Sequence, residues 1–167
     1  HVSGGKEVRT GNLRKGVMPH SHGQVIAEFH VAGAKELEAA ANAALKAKAE
    51  WENLAWHERA AIFLKAADLL AGPWRDRLNA ATMLGQSKNA YPAQLDAACG
   101  PIDFLRLNAH SYPEIPAAQP SSSPAVFNRI EWPPLERFLL AFPPSYLYLT
   151  AGLHPARPGD TANTGRG

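Results

Sequence analysis

The histidines His20, His22 and His30 are the first residues whose types and spacing could bind a metal. A zinc site in a protein is built from three or four histidine, cysteine or carboxylate ligands. This group has no cysteine or carboxylate partner at ligand spacing. We therefore predict no metal site, and we interpret the three histidines as loop and strand residues that face water.

The single cysteine, Cys99, is the one thiol in the sequence that could act as a nucleophile. It lies on the apolar stripe of a predicted helix, and no histidine, arginine or lysine is near it in sequence. Because a reactive thiol needs an exposed and electropositive environment, a buried structural thiol is the favoured interpretation. One cysteine also excludes an internal disulfide framework and fits a reducing compartment.

Composition is typical of one soluble globular domain, with 46% hydrophobic and 19% charged residues and a formal net charge of +2. Lysine and arginine are dispersed, which argues against a nucleic-acid partner. The longest apolar run, Phe138 to Phe142, is strand-sized, so we predict no membrane association. The chain starts with His1 and has no signal-peptide pattern, so we expect a fragment or a trimmed product.

The elements that would position these residues fall into two parts. Short strands are predicted over residues 1–31, with a polar loop at 20–23 and a one-face-covered strand at 24–31. Helices are predicted over 34–53, 56–71 and 73–84, followed by a fourth that starts at Asn89 and is kinked by Gly100-Pro101. The predicted buried positions are Leu37, Ala41, Ala44, Leu45, Lys48 and Trp51; Ile62, Phe63, Ala66, Leu69 and Leu70; Trp74, Leu78, Ala81 and Met83; and Leu95, Ala98, Cys99, Ile102 and Leu105.

The last third of the chain is punctuated by proline, since ten of the 14 prolines lie at or after Pro113. We predict a linker over 113–124. The following segment, 125–152, should hold a β-hairpin with a strand at 125–131 and a buried strand at 135–142. A divergent and poorly ordered tail is expected over 153–167.

Three segments carry a family resemblance: Gly4–Gly11 (GGKEVRTG), Arg59–Ala67 (RAAIFLKAA) and Ala81–Lys88 (ATMLGQSK). They are similar to the first part of the aldehyde dehydrogenases. The third segment resembles the 1-pyrroline-5-carboxylate dehydrogenases, which oxidise L-glutamate γ-semialdehyde in proline catabolism. The similarity runs from about residue 2 to residue 142. It implies an α/β fold for the whole enzyme and an α-rich chain here, with about four helices flanked by short strands and residues 1–112 forming the helical layer of the cofactor domain.

The resemblance also implies a mechanism and a setting. A cysteine thiolate attacks the aldehyde, an asparagine and a backbone N–H hold the oxyanion, NAD accepts the hydride, and a glutamate activates water. The expected partner is a small aldehyde substrate, and the parent enzyme would be a homo-oligomer. Its location would be the bacterial cytoplasm or the mitochondrial matrix of a eukaryote.

The chain departs from the family pattern where the chemistry should begin. Tyr146 stands at the oxyanion asparagine position, and Pro143, Pro144 and Ser145 align with cofactor-contacting positions. Gln94 replaces a glutamate that helps to hold the substrate. The nucleophilic cysteine, the glutamate base and the phosphate-binding glycine turn have no counterpart, so we expect no intact catalytic residue and no cofactor bound by this chain.

Two interpretations follow. The first is an N-terminal fragment of an NAD-dependent L-glutamate γ-semialdehyde dehydrogenase, inactive alone, whose divergent tail is a sequence artefact or a real alternative end. The second is a non-catalytic helical interaction protein derived from the family, which associates through an exposed strand edge at residues 125–142. A small enzyme with different chemistry lacks support, because no Ser/His/Asp set, metal cluster or phosphate loop is visible.

Overall fold

The computed structural model describes residues 1–134, 136 and 138–140. Two small hairpins come first and a layer of helices follows. The predicted α-rich fold with about four helices is confirmed, because α4, a π-helical turn and α5 form one helical stretch. Within the described residues, no helix is long and apolar enough to cross a membrane. The strands are β1 (Val2–Ser3), β2 (Lys6–Glu7), β3 (Leu13–Met18) and β4 (Ser21–His30); the helices are α1 (Ala34–Asn53), α2 (Trp56–Ala71), α3 (Arg75–Gln86), α4 (Ala90–Gln94), the π turn (Leu95–Cys99), α5 (Gly100–Ser111) and α6 (Glu114–Ala117).

The β3–β4 hairpin is longer than the sequence pattern predicts. Its strands pair antiparallel, with Leu13 opposite His30 at the open end. Ser21 already belongs to β4, so the predicted polar loop at 20–23 is a two-residue turn followed by strand. The tight turn places Ser21 opposite Met18, and the register then shifts before Val25 pairs with Val17.

The β3–β4 ribbon has no second layer over one of its faces. Val25 and Phe29 are about half exposed, at 49% and 50%. The apolar side of the strand, with Val25 and Phe29, is therefore not the covered one in the described residues. On the other face, Ile26 lies over Gly85 near the end of α3.

Helices α1 and α2 begin with the same capping arrangement. The Glu36 carboxylate accepts the backbone N–H of Gly33 at 2.8 Å, and that of Glu58 accepts the N–H of Ala55 at 3.2 Å. Each carboxylate satisfies one backbone donor that the first helical turn leaves unbonded. These contacts explain why both helices start at the predicted residues.

Helix α1 has the predicted bounds but not the predicted burial. None of its residues is buried, and Leu37 and Leu45 are 64% and 44% exposed. It packs against the first hairpin, where Gly4 approaches Ala43. A predicted apolar stripe is thus left largely uncovered by the described part of the chain.

The core lies between α2 and α5. Ala67, Ala98, Ile102 and Leu105 are its buried centre, surrounded by partly buried residues of α2. The small alanines let the helix backbones approach closely, so Leu105 is only 3% exposed. Several predicted core positions are wrong in consequence, since α2 and α3 turn other faces inward. The exposed ones are Ile62, Leu69, Trp74, Ala81 and Leu95. The buried ones that the pattern missed are Arg59, Ala60, Ala67, Thr82, Ala93, Ala97, Pro101 and Tyr112.

A π-helical turn directly precedes Gly100-Pro101, where the sequence predicts a kink. The N–H of Gly100 bonds the carbonyl of Leu95, five residues back. This wider turn lets the helix run on into α5 although Pro101 has no N–H to donate. Pro101 is fully buried beneath it.

The segment after α5 is less extended than predicted. A one-turn helix, α6, occupies part of the predicted linker, and the predicted strand at 125–131 is reduced to an isolated bridge between Ser123 and Val126. The Gln119 side chain bonds both backbone groups of Ile130, at 2.8 and 3.2 Å. A side chain therefore satisfies the groups that a partner strand would bond.

The predicted strand at 135–142 is not seen where it can be checked. The described residues Phe138, Leu139 and Leu140 are exposed and outside any strand. The rest of that prediction and the predicted tail at 153–167 lie outside the described residues.

Candidate functional site

Among the residues that the sequence singled out for the active site, Gln94 lies in the described part of the chain. It ends α4, where the π turn begins. Pro143, Pro144, Ser145 and Tyr146 lie outside the described residues. The site can therefore be built only around Gln94.

Gln94 belongs to a polar cluster formed with Arg75, Asn79 and Cys99, between α3 and the π turn. Asn79 Nδ2 donates a hydrogen bond to Gln94 Oε1. With the Gln94 amide turned by 180°, its oxygen instead accepts from Arg75 Nε at 2.9 Å. The amide can thus join either neighbour, and it links the start of α3 to the π turn.

Cys99 is not the isolated buried thiol that the sequence predicts. Its side chain is partly exposed, its Sγ lies 3.7 Å from Gln94 Nε2, and Arg75 Nη2 is 4.0 Å away. The guanidinium comes from a residue 24 positions earlier in the chain. Sequence proximity could not have identified this cation, because the fold of α3 against the π turn creates the contact.

The histidines do not converge. His20 Nδ1 lies 2.8 Å from Ser87 Oγ, His30 Nδ1 accepts the N–H of Gly11 at 3.1 Å, and His22 is exposed. In the described residues, no three histidine, cysteine, aspartate or glutamate side chains form a group that could hold a metal ion.

A second polar contact, which the sequence did not indicate, lies inside the α2–α5 interface. Arg59 is 2% exposed, and its Nη2 donates a hydrogen bond to the Tyr112 hydroxyl at 2.7 Å. The guanidinium carbon is 5.6 Å from the centre of the Tyr112 ring. Burial raises the pKa of Tyr112, and Arg59 partly opposes that shift.

The cavity beside this pair is too small for a substrate. Its volume is about 20 Å³, and Trp56 and Phe63 contribute to its walls. A space of that size holds about one water molecule. Arg59 and Tyr112 are therefore structural residues that join α2 to the end of α5.

Comparisons with known proteins agree on one family. The model of the aldehyde dehydrogenase family matches residues 9–140. The chain is 44% identical over 163 residues to delta-1-pyrroline-5-carboxylate dehydrogenase of Agaricus bisporus, a match that covers 97% of this chain and 30% of that protein. It is 45% identical over 155 residues to the probable delta-1-pyrroline-5-carboxylate dehydrogenase of Schizosaccharomyces pombe, covering 92% of this chain and 28% of that protein.

A solved structure of a pyrroline-5-carboxylate dehydrogenase is also similar to this chain. The crystal structure of the Delta-pyrroline-5-carboxylate dehydrogenase from Mycobacterium tuberculosis bound with NAD matches 99% of this chain with a TM-score of 0.87 and 43% identity. The match covers 31% of that chain, so this chain spans about a third or less of the length of the relatives it matches. The similarity also extends past the predicted limit at residue 142, since the match to the Agaricus protein covers 97% of the chain.

Proposed function

Because this chain belongs to the aldehyde dehydrogenase family, we propose that it is the helical first part of an NAD-dependent enzyme that oxidises L-glutamate γ-semialdehyde, also named 1-pyrroline-5-carboxylate. The observation that carries the proposal is the 44% identity over 163 residues with the Agaricus bisporus dehydrogenase. That similarity covers 97% of this chain and therefore includes the α2–α5 core. Residues 1–112 are the helical layer of the cofactor domain in this proposal, which the end of α5 at Ser111 supports.

In this proposal the chain alone does not turn over substrate. The Cys99 sulfur has hydrogen-bond contacts with the side chains of Gln94 and Arg75, and neither side chain can act as a general base. The nucleophile and the base of the reaction belong to the part of the enzyme that this chain does not match. Gln94 supplies a polar side chain at the substrate position, and Tyr146 and Pro143 to Ser145 stand at the oxyanion and cofactor positions. The enzyme would act in the mitochondrial matrix or the bacterial cytoplasm, as relatives from Dictyostelium discoideum and Rattus norvegicus are named mitochondrial.

The described residues do not fit the pyrophosphate of NAD. The junction between β4 and α1 is a place where a phosphate could meet a helix N-terminus. There the Glu36 carboxylate already accepts the Gly33 N–H at 2.8 Å. The Glu36 carboxylate would repel a phosphate at this position. We therefore assign no step of the reaction to residues of this chain that would act on the cofactor.

Added NAD is expected to leave the melting temperature of the 167-residue chain unchanged, because a ligand stabilises only a fold that binds it. Differential scanning calorimetry over a range of NAD concentrations measures this. The Mycobacterium tuberculosis dehydrogenase, which was crystallised with NAD, serves as the positive control. A melting temperature that climbs with the logarithm of the NAD concentration would contradict the prediction.

Complementation tests the proposed function. The chain is co-expressed with the remaining part of the Agaricus bisporus enzyme, and NADH formation from 1-pyrroline-5-carboxylate is followed by absorbance. Because Tyr146 stands at the oxyanion asparagine position, the chain used here carries Tyr146→Asn; activity is then expected with both parts together and with neither part alone. Ala67→Arg, which puts a charge at a position with 0% exposure, should abolish complementation, while Ala61→Arg on the exposed side of the same helix should not. Absence of turnover in a co-purifying pair of parts would sink the proposal.

The second candidate function is a non-catalytic interaction protein. The predicted hairpin at 125–142 does not support it, because the described residues there form no strand. The observation that favours it is the unpaired outer edge of β4, which is the longest strand in the described part of the chain.

A further inference from the structure

Arg75 is a partly buried cation, and within the described part of the chain no carboxylate lies within ion-pair distance of its guanidinium. Lys48 and Lys88 are also partly buried, and they pair with the carboxylates of Glu52 and Asp96. Removing a charge from water costs free energy unless an opposite charge balances it. The environment of Arg75 therefore favours a negatively charged ligand.

The described side chains that contact the Arg75 guanidinium are neutral. With its amide turned by 180°, Gln94 accepts from Arg75 Nε at 2.9 Å, and Cys99 Sγ lies 4.0 Å from Nη2. A carboxamide accepts a hydrogen bond but has no charge, so it leaves the positive charge unbalanced. The glutamate that the family resemblance implies at position 94 would balance it from within the chain. The unbalanced charge is therefore a consequence of Gln94 in this sequence.

We propose that Arg75, positioned by Gln94, binds a small carboxylate anion beside the Cys99 thiol. A guanidinium binds the two oxygens of a carboxylate through two parallel N–H bonds, and its single positive charge balances the single negative charge. The three side chains are all partly exposed, so a small anion can reach them from water. This site consists of residues of the described chain alone and does not rest on the proposed dehydrogenase function.

Alkylation of Cys99 tests this site, because Cys99 is the single thiol of the chain. Iodoacetate carries a carboxylate and iodoacetamide does not, but both react alike: the sulfur bonds to the methylene carbon, iodide leaves with the electron pair, and the thiol proton passes to water. Both reagents use the same thiolate, so the ratio of their rate constants does not depend on how much of the thiol is ionised. We expect the ratio of iodoacetate to iodoacetamide to be about tenfold higher in the folded chain than in the urea-unfolded chain, measured by intact mass.

Three variants separate Arg75 from the net charge of the chain. Arg75→Gln should lower the ratio to that of the unfolded chain, because it removes the charge and keeps a polar side chain. Arg77→Gln is the matched control, since it removes the same charge two residues along α3, where Arg77 is exposed and lies over the Trp74 ring. This control should keep the raised ratio. Gln94→Glu should abolish the preference, because the new carboxylate pairs with Arg75 in place of the ligand.

A competition experiment measures binding of the anion itself. Acetate, added at constant ionic strength in exchange for sodium chloride, should slow the reaction of iodoacetate with the parent chain but not with the Arg75→Gln variant. The proposal would be overturned by equal ratios in the folded and unfolded chains, by equal losses in the Arg75 and Arg77 variants, or by a folded chain that reacts with neither reagent. None of these measurements needs dehydrogenase activity, so they are separate from the complementation experiment.

Discussion

Leu105→Ala is expected to lower the free energy of unfolding by about 3 kcal/mol. Leu105 is 3% exposed and lies in the cluster with Ala67, Ala98 and Ile102. Its neighbours include the small side chains of Ala67 and Ala98, which cannot extend to fill the space left by the lost side chain. The variant therefore loses both the transfer free energy of the leucine and the packing around the cavity. Urea unfolding followed by circular dichroism gives the value.

Leu107→Ala is the control for this change. Leu107 lies two residues further along α5 and is 58% exposed. The same truncation there should change the free energy of unfolding by no more than about 0.5 kcal/mol. If both variants unfold at the same urea concentration, the α2–α5 interface is not the core of the fold.

Tyr112→Phe is expected to cost about 2 kcal/mol, because it removes the acceptor of a hydrogen bond from a buried guanidinium. The Tyr112 hydroxyl accepts from Arg59 at 2.7 Å, and both residues are buried. Tyr91→Phe is the matched control, since Tyr91 is 75% exposed and should tolerate the change. Equal stability of the two variants would contradict the structural role assigned to the Arg59–Tyr112 pair.

The same pair predicts how stability depends on alkaline pH. The pKa of Tyr112 in the folded protein is raised above its ordinary value of 10.0, mainly by burial. The folded chain therefore holds this proton more tightly than the unfolded chain does. This contribution to stability is complete below pH 10 and is lost as the pH rises through the folded-state pKa. The Tyr112→Phe variant should lose less of its free energy of unfolding at alkaline pH than the parent chain does. Urea unfolding at a series of pH values measures this difference.

Helix bounds were predictable where local chemistry sets them. The alanine-, glutamate- and lysine-rich run of α1 and the glutamates at the third positions of α1 and α2 mark the observed starts. The family was predictable as well, since the resemblance of Arg59–Ala67 and Ala81–Lys88 to the aldehyde dehydrogenases is confirmed.

Helix faces were not predictable in the same way. The pattern in α2 placed Ile62 and Leu69 inside, but the structure buries Arg59 instead. The cause is a contact with Tyr112, 53 residues away in sequence. No periodicity within one helix contains information about such a distant partner.

The candidate site was predictable only in part. The resemblance located Gln94, but its neighbours Arg75, Asn79 and Cys99 come together through the packing of α3 on the π turn. The prediction of a strand at 125–131 was wrong for a related reason. The side chain of Gln119 bonds the backbone of Ile130 from 11 residues away and removes the need for a partner strand.

Helix α1 has a consequence for how the chain opens in solution. With no buried residue, its stability comes mainly from its own backbone hydrogen bonds and from side-chain pairs such as Lys48–Glu52 at 2.9 Å. A helix of this kind can fray and reform while α2 and α5 stay folded. The amide hydrogens of α1 are therefore free to exchange by local opening, whereas those of the α2–α5 core exchange only when the whole fold comes apart. We therefore expect two levels of cooperativity, with α1, the longest helix among the described residues, as the more labile one.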